Sequence, residues 1–149
     1  MIREFRTEDL DDVMKIWLET NLSAHHFIDE KYWQGNFEFV KAVMPKSELY
    51  IAEENGEVAG FIGIVEGYIA GIFVAEKYRG KGLGKELLNS AKRRYNNLTL
   101  NVYVKNNNAV RFYLKNEFDL VTKMTNPDTG EEECEMSWKR TACMLGGNC

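Results

Sequence analysis

The stretch that most constrains this chain is an apolar segment followed by a glycine-rich turn and a helical pattern. Ile69–Val74 is apolar enough to form a buried strand, and Arg79–Gly84 reads Arg-Gly-Lys-Gly-Leu-Gly. Such a turn between a strand and a helix presents backbone N–H groups to phosphate, because glycine permits close approach and the helix start is partially positive. The sequence therefore predicts a phosphate site here, to which three side chains add full positive charges: Arg79, Lys81 and Lys85.

Two common phosphate-binding patterns do not fit this turn. A G-x-G-x-x-G dinucleotide pattern starting at Gly80 has Lys85 in its sixth position, and the following strand, Asn97–Val104, has no acidic residue for a ribose hydroxyl. The P-loop pattern fails because Arg79 stands in place of its first glycine and Glu86 follows the lysine. A nucleotide or dinucleotide binder is therefore disfavoured.

The pattern that does fit is [Q/R]-x-x-G-x-[G/A], formed by Arg79, Gly82 and Gly84, with Val74 five residues upstream. This signature resembles the acetyl-CoA site of the GNAT superfamily of N-acetyltransferases. The chain resembles in particular the small bacterial single-domain members of that family. Taken alone, a glycine-rich turn before a helix is also a common tight connection, so a second motif is needed.

The second motif is the segment Asn106–Tyr113, which starts with three asparagines. An asparagine-rich entry is typical of a helix start, and Ala109, Phe112 and Tyr113 are spaced to share one face of that helix. The segment resembles the N-x-x-A-x-x-F-Y motif with which GNAT enzymes contact coenzyme A. Its distance from the glycine turn equals one β-α-β crossover, which makes the pair of motifs more specific than either alone.

Periodicity predicts the elements around these motifs. A strand is expected over Ile2–Arg6, then a helix from Thr7 to about Glu19. A second helix is expected to be capped by Asp29 and closed by Pro45. Hairpins are expected around Asn55-Gly56 and Asn126–Gly130, joining Leu49–Glu53 to Val58–Val65 and Phe118–Met124 to Glu132–Trp138.

The order of these elements resembles the GNAT fold as far as Trp138. The resemblance implies an α+β domain with α/β/α layers: a mixed, mostly antiparallel sheet with one splayed parallel pair, flanked by about four helices. We expect a single acetyltransferase domain over residues 1–138 and a peripheral tail over 139–149. Cys143 and Cys149 in that tail have no predicted role.

The resemblance also implies which residues hold acetyl-CoA. Backbone groups of the predicted strand Ile69–Val74 are expected to pair with the pantetheine arm. The glycine turn is expected to bind the diphosphate, and the second motif to line the thioester. The implied contact residues are Ile72, Phe73, Val74, Arg79, Gly80, Lys81, Gly82, Leu83, Gly84, Lys85, Asn106, Ala109, Phe112 and Tyr113.

The expected chemistry is direct attack of an amine on the thioester. Tyr113 is the candidate general acid for the leaving thiolate, since a phenol of pKa about 10 can donate to a sulfur. Glu66 and His25 are the candidate bases for the amine. Each residue also has a simpler structural interpretation. Glu66 is explained equally well as a solvated turn residue, and His25 as a helix cap or as a residue that forms a hydrogen bond within the loop.

Composition limits the other functions. The chain has 149 residues, 44% of them hydrophobic, and a net charge of −4, which favours one globular domain and gives no support for nucleic-acid binding. No apolar run is long enough to span a membrane and no signal-peptide pattern is seen, so we expect a cytoplasmic protein. The uneven spacing of three cysteines predicts neither a disulfide framework nor a metal site.

The sequence thus predicts an acetyl-CoA-dependent N-acetyltransferase acting on a primary amine. The acceptor is either a small molecule or a protein lysine or N-terminus, and the protein is a monomer or a homodimer. The alternative is a coenzyme A-binding sensor without catalytic activity. Retention of Tyr113 argues against that alternative, because a binding module needs no acid at this position.

Overall fold

The computed structural model describes residues 1–141, which form a seven-stranded sheet with helices on both faces. The strands are β1 (Ile2–Glu4), β2 (Glu48–Glu54), β3 (Glu57–Val65), β4 (Tyr68–Val74), β5 (Asn97–Tyr103), β6 (Asp119–Thr125) and β7 (Glu132–Lys139). The helices are α1 (Leu10–Ala24), α2 (Glu30–Val43), α3 (Leu83–Arg94) and α4 (Asn107–Lys115). Both the element order and the layers agree with the sequence-based prediction.

The strand order is β1-β2-β3-β4-β5-β7-β6, and every neighbouring pair is antiparallel except β4 and β5. This parallel pair results from the β4-α3-β5 crossover, because a helix between two strands returns the chain in the same direction. The prediction of a mixed, mostly antiparallel sheet with one parallel pair is therefore confirmed.

Each face of the sheet has its own hydrophobic core. On one face, α1 and α2 pack against the sheet in a cluster that includes Val13, Trp17 and Phe61. On the other, α3 and α4 cover a second cluster that includes Leu87 and Leu100. Because the alternating side chains of each central strand enter both cores, the sheet is fixed between two helical layers.

The ends of the first two elements differ from the prediction. β1 ends at Glu4 because the side chain of Asp9 accepts the Arg6 amide at 2.8 Å and closes a short 3-10 turn before α1. Helix α1 continues past the predicted end near Glu19 to Ala24. It does so because buried Thr20 and Asn21 donate to carbonyls of the preceding turn, so their polar groups are satisfied inside the helix.

The predicted turn signals appear where the sequence placed them. Asp29 caps α2, since its carboxylate accepts the Lys31 amide at 2.9 Å. Pro45 lies in the 3-10 turn that follows the last residue of α2. Asn55 and Gly56 both have positive φ in the β2–β3 hairpin, as a two-residue turn of this type requires.

The parallel pair is joined over only two residues. Tyr68 pairs with Thr99 and Ile69 with Leu100, and the two strands then separate. Each keeps its other neighbour, since β4 remains paired with β3 as far as Val74 and β5 with β7 over its whole length. A register shift opposite Gly63 gives β4 one extra residue where the separation starts. The gap therefore opens toward the carboxyl ends of both strands.

The described part of the chain extends slightly beyond the predicted domain. Lys139 pairs with Asn97 in the sheet, and Arg140 donates to the side chain of Asn96. Most of the predicted tail, including Cys143 and Cys149, lies outside the described residues. Among residues 1–141 no helix has the length and apolar character needed to cross a membrane.

Candidate active site

A cavity of about 600 Å³ occupies the open end of the β4–β5 gap. Its walls come from the last turns of α1, the end of β4, the start of α3 and the first turns of α4. Both helical layers of the molecule therefore contribute to one cavity. An elongated ligand can enter between β4 and β5 at this opening, because the two strands are paired only at its closed end.

The first wall is the free edge of β4. Ile72, Phe73 and Val74 line the cavity, and no strand pairs with this edge of β4 beyond Ile69 within the described residues. The ring of Phe73 lies over Gly71, where an added Cβ would come within 2.4 Å of it, so any larger residue at that position would displace the ring. The exposed edge can hydrogen-bond an extended amide chain in the way that a further strand would.

The glycine turn lies beside this edge. Gly80 and Gly82 both have positive φ, and an added Cβ at either would meet nothing within 4 Å. Within residues 1–141, no protein group accepts a hydrogen bond from the amides of residues 80–85, whereas the Arg79 amide donates to Glu76. The open face of the turn therefore presents unpaired N–H groups at the start of α3.

Side chains of the turn have different positions. Arg79 and Gly84 line the cavity, and the guanidinium of Arg79 donates to the Val74 carbonyl at 3.4 Å. Leu83 is buried, so only its backbone can contact a ligand. The Nζ atom of Lys81 lies over the ring of Tyr78, 5.4 Å from the ring centroid, and Lys85 is exposed.

The wall opposite β4 is the predicted second motif on α4. Asn106 caps this helix through its side-chain oxygen, which accepts the Ala109 amide at 3.2 Å. Phe112 packs against the start of α3, since a Cβ on Gly84 would lie 3.5 Å from its ring. Asn106, Ala109 and Phe112 all line the cavity, so the structure brings the two sequence motifs together in one site.

Tyr113 is the deepest polar group of this wall. It is 7% exposed, lines the cavity, and makes edge contacts with the rings of Phe112 and Phe118. Among the described residues no group forms a hydrogen bond with its hydroxyl. Burial raises the pKa of Tyr113 well above its usual value, with a smaller contribution from Tyr68, so the phenol keeps its proton at neutral pH.

His25 is not among the residues that line the cavity, and both of its ring nitrogens have protein partners. Nδ1 is 3.0 Å from the side-chain oxygen of Asn21, and Nε2 is 3.1 Å from the side-chain nitrogen of Asn106. Burial lowers the pKa of His25 to about 4. The neighbouring His26, not His25, is the histidine that lines the cavity.

Glu66 is distant from the other predicted residues. It is exposed in the β3–β4 turn, with a φ of +49°, next to the residues through which β4 and β5 are paired. The cavity lies at the opposite end of β4, and Glu66 does not line it. The structure therefore does not bring the two candidate bases together.

Several cavity residues were not identified from the sequence. They are Thr20, Ser23 and Ala24 at the end of α1, Lys105 after β5, and Asn107, Asn108 and Arg111 on α4. The α1 group was missed because the helix was expected to end earlier. The signal was present, since positions 20, 23 and 24 have the spacing of one helical face.

The site suits a thioester of coenzyme A by its own chemistry. A turn with free amides and nearby cations fits a diphosphate, and an unpaired strand edge fits an amide-containing arm. A protonated, buried phenol faces the remaining space. No cluster of three or more side chains able to hold a metal ion occurs in the part of the chain that the structure describes.

These features define an acetyltransferase of the GNAT class, and the chain belongs to that family: residues 9–118 match the model of the acetyltransferase (GNAT) family. It is 34% identical over 140 residues to the peptidyl-lysine N-acetyltransferase YiaC of Escherichia coli K12, covering 93% of this chain and 96% of that protein. The peptidyl-lysine N-acetyltransferase YjaB of Salmonella typhimurium is 29% identical, with 87% and 90% covered. The chain is therefore an N-acetyltransferase, as the sequence predicted.

Solved structures share this fold. The solution structure of apo-form YjaB from Escherichia coli superposes with a TM-score of 0.83, at 23% identity, covering 95% of this chain and 98% of that one. A Bacillus anthracis protein described as a streptothricin acetyltransferase, solved in complex with acetyl coenzyme A, gives a TM-score of 0.59 at 25% identity, covering 64% and 63%. The first shows the shared fold.

Proposed function

We propose that the protein transfers the acetyl group of acetyl-CoA to the side-chain amine of a lysine in a peptide or protein. The observation that carries the proposal is the gap between β4 and β5, which opens beside the free amides of the glycine turn into a cavity that Tyr113 lines. Acetyl-CoA, when bound, supplies the reactive thioester. The protein holds and orients both reactants, and such positioning contributes about 7–11 kcal/mol in favourable cases.

The binding roles follow from the walls of the cavity. Amides of residues 80–85 and the cations around them hold the diphosphate. Backbone groups of Ile72, Phe73 and Val74 pair with the pantetheine arm, and one of their N–H groups can stabilise charge on the thioester oxygen. Asn106, Ala109 and Phe112 form the facing wall.

Tyr113 is proposed as the acid that protonates the leaving thiolate. Its hydroxyl has no hydrogen-bond partner among the described residues, so the proton is available to a sulfur in the gap. Burial raises the pKa of Tyr113, so the phenol keeps its proton until a thiolate forms beside it. The amine proton is proposed to leave through water, because Glu66 is outside the cavity and both nitrogens of His25 are bonded.

A lysine acceptor is supported by the charge of β7 beside the open part of the gap. Glu133 and Glu135 lie on β7, opposite Tyr103 and Asn101 of β5. By this pairing both carboxylates lie past Thr99, beside the open part of the gap, and after burial they also raise the pKa of Tyr68 at the start of β4. A cationic side chain is attracted to these carboxylates, and the named activity of the YiaC and YjaB relatives supports the same class of acceptor.

The test is an acceptor screen with the purified protein. Release of free thiol from acetyl-CoA should be followed with lysine peptides, polyamines, amino acids and aminoglycosides, and acetylated peptides should be mapped by mass spectrometry. We expect release with lysine peptides and acetylation of the lysine ε-nitrogen. Tight acetyl-CoA binding with no thiol release across the panel would instead support the sensor function.

A further inference from the structure

A continuous series of hydrogen bonds beside the cavity joins α1 to α4. The side-chain nitrogen of Asn21 donates to the Trp17 carbonyl at 2.9 Å, and its oxygen is 3.0 Å from Nδ1 of His25. On the other side, Nε2 of His25 is 3.1 Å from the side-chain nitrogen of Asn106, whose oxygen accepts the Ala109 amide at 3.2 Å. The chain thus ends in the first turn of α4.

The direction of every bond in this chain is determined by its two ends. Asn21 must turn its oxygen toward His25, because its nitrogen is bonded to a carbonyl. Asn106 must turn its nitrogen toward His25, because its oxygen accepts a backbone amide. The imidazole therefore donates at Nδ1 and accepts at Nε2, which is possible only for the neutral ring with its proton on Nδ1.

The ring is also held by its aromatic neighbours. It stacks on Trp33 with 5.3 Å between ring centroids, and it meets the rings of Phe27 and Tyr103 edge-on at 5.7 and 5.0 Å. These contacts come from α2, from the α1–α2 connection and from β5. The side chain consequently has little freedom to turn a nitrogen toward the cavity.

The position of His25 in the fold explains why this series of hydrogen bonds matters. Helix α1 lies on one face of the sheet and α4 on the other, and β4 and β5 are not paired at this level. His25 and Asn106 are 81 residues apart in sequence, and their hydrogen bond joins the end of α1 to the start of α4. The first turn of α4, which leads to Phe112 and Tyr113, is fixed in part by this bond.

We propose that His25 is a positioning residue: its neutral imidazole orients the side-chain amide of Asn106 and thereby fixes the first turn of α4 against the cavity, and it does not take the proton of the amine. A base role would require Nε2 to release Asn106, and an imidazolium would then face an N–H donor. This inference rests on the proposed function only in that α4 forms a wall of the coenzyme A site.

The direct test is nitrogen NMR of the imidazole rings in the full wild-type chain without ligand. We expect Nδ1 of His25 to be protonated and Nε2 unprotonated down to about pH 5, in line with the lowered pKa of this ring, which is about 4. His26 is the only other histidine, so the variant His26→Gln assigns the signals. A proton on Nε2, or titration of His25 at its ordinary pKa, would overturn the proposal.

Variants give a second, independent readout. His25→Ala should weaken coenzyme A binding, measured by calorimetry, by about five- to tenfold, because one internal hydrogen bond to the helix cap is lost. His25→Gln offers a donor and an acceptor on one amide and should recover most of that affinity. It should also retain the pH profile of kcat/KM, since a glutamine cannot act as a base.

The outcomes separate this proposal from the proposed function. Loss of turnover in His25→Gln with coenzyme A affinity intact would show that His25 acts as the base and would overturn the positioning role. Absence of coenzyme A binding in the wild-type chain would contradict the proposed function instead, and the NMR measurement would still decide the role of His25. That measurement needs no variant of His25, so misfolding of a variant cannot obscure the result.

Discussion

At the scale of single residues, the burial of Tyr113 gives the site its acid. We predict that Tyr113→Phe lowers kcat by about 10²-fold or more, because a positioned proton donor contributes at least that much. The KM for acetyl-CoA should change little, since the ring remains packed between Phe112 and Phe118. Steady-state kinetics measure both constants, and unchanged turnover would exclude the acid role.

A second residue-scale prediction concerns His25 and stability. Burial lowers its pKa to about 4 in the folded protein, whereas the ordinary value is 6.5. The unfolded chain therefore binds the proton more tightly, and the contribution of His25 to stability is complete above pH 6.5 and is lost as the pH falls toward 4. The difference between the two pKa values corresponds to at most about 3 kcal/mol of stability. The actual contribution is smaller, because the ring is only half-buried and solvent screens its charge.

Urea denaturation between pH 4 and pH 7 measures this effect. His25→Gln should show a shallower decrease in the free energy of unfolding over that range than the wild type. Tyr103 faces the ring but does not titrate there, because burial raises its pKa to about 12. If the free energy of unfolding depended on pH in the same way in both proteins, the pKa of His25 would not change on folding.

At the scale of elements, the glycine turn and α4 were predictable because each function is encoded locally. Arg79, Gly82 and Gly84 stand in one hexapeptide, and Asn106 with Phe112 and Tyr113 in one helix. The hydrogen bond between His25 and Asn106 was not predictable, because it depends on the orientation of two amides that tertiary structure brings together. The distance of Glu66 from the cavity was not predictable, because the sequence does not say at which end the parallel pair separates.

The glycine turn permits a matched test at this scale. Gly82→Ala adds a Cβ at a φ of +80°, on the open side of the turn where a diphosphate would approach. Gly56→Ala adds one at +76° in the β2–β3 hairpin, also with nothing within 4 Å. Both should lower stability by about 1–2 kcal/mol through backbone strain. Only Gly82→Ala should also weaken coenzyme A binding, and equal affinities in calorimetry would refute the phosphate role.

At the scale of the whole molecule, charge separates the two sides of the site. Cations surround the glycine turn, whereas Glu133 and Glu135 lie on the sheet face near Tyr68. We predict that Glu135→Gln raises the KM for a lysine peptide severalfold and leaves the KM for acetyl-CoA unchanged, since an opposite charge steers the acceptor. Added salt should reduce the difference. Glu38→Gln, which removes the same charge from the exposed face of α2, is the control.

The two paired residues between β4 and β5 have a mechanical consequence for the sheet. Strands β1–β4 and β5–β7 form two half-sheets whose hydrogen-bonded connection consists of Tyr68–Thr99 and Ile69–Leu100. A molecule seated along the free edge of β4 would act as an additional strand linking the halves. Coenzyme A should therefore raise the melting temperature and slow amide exchange at residues 71–74, so that the enzyme becomes stiffer as it becomes ready to react.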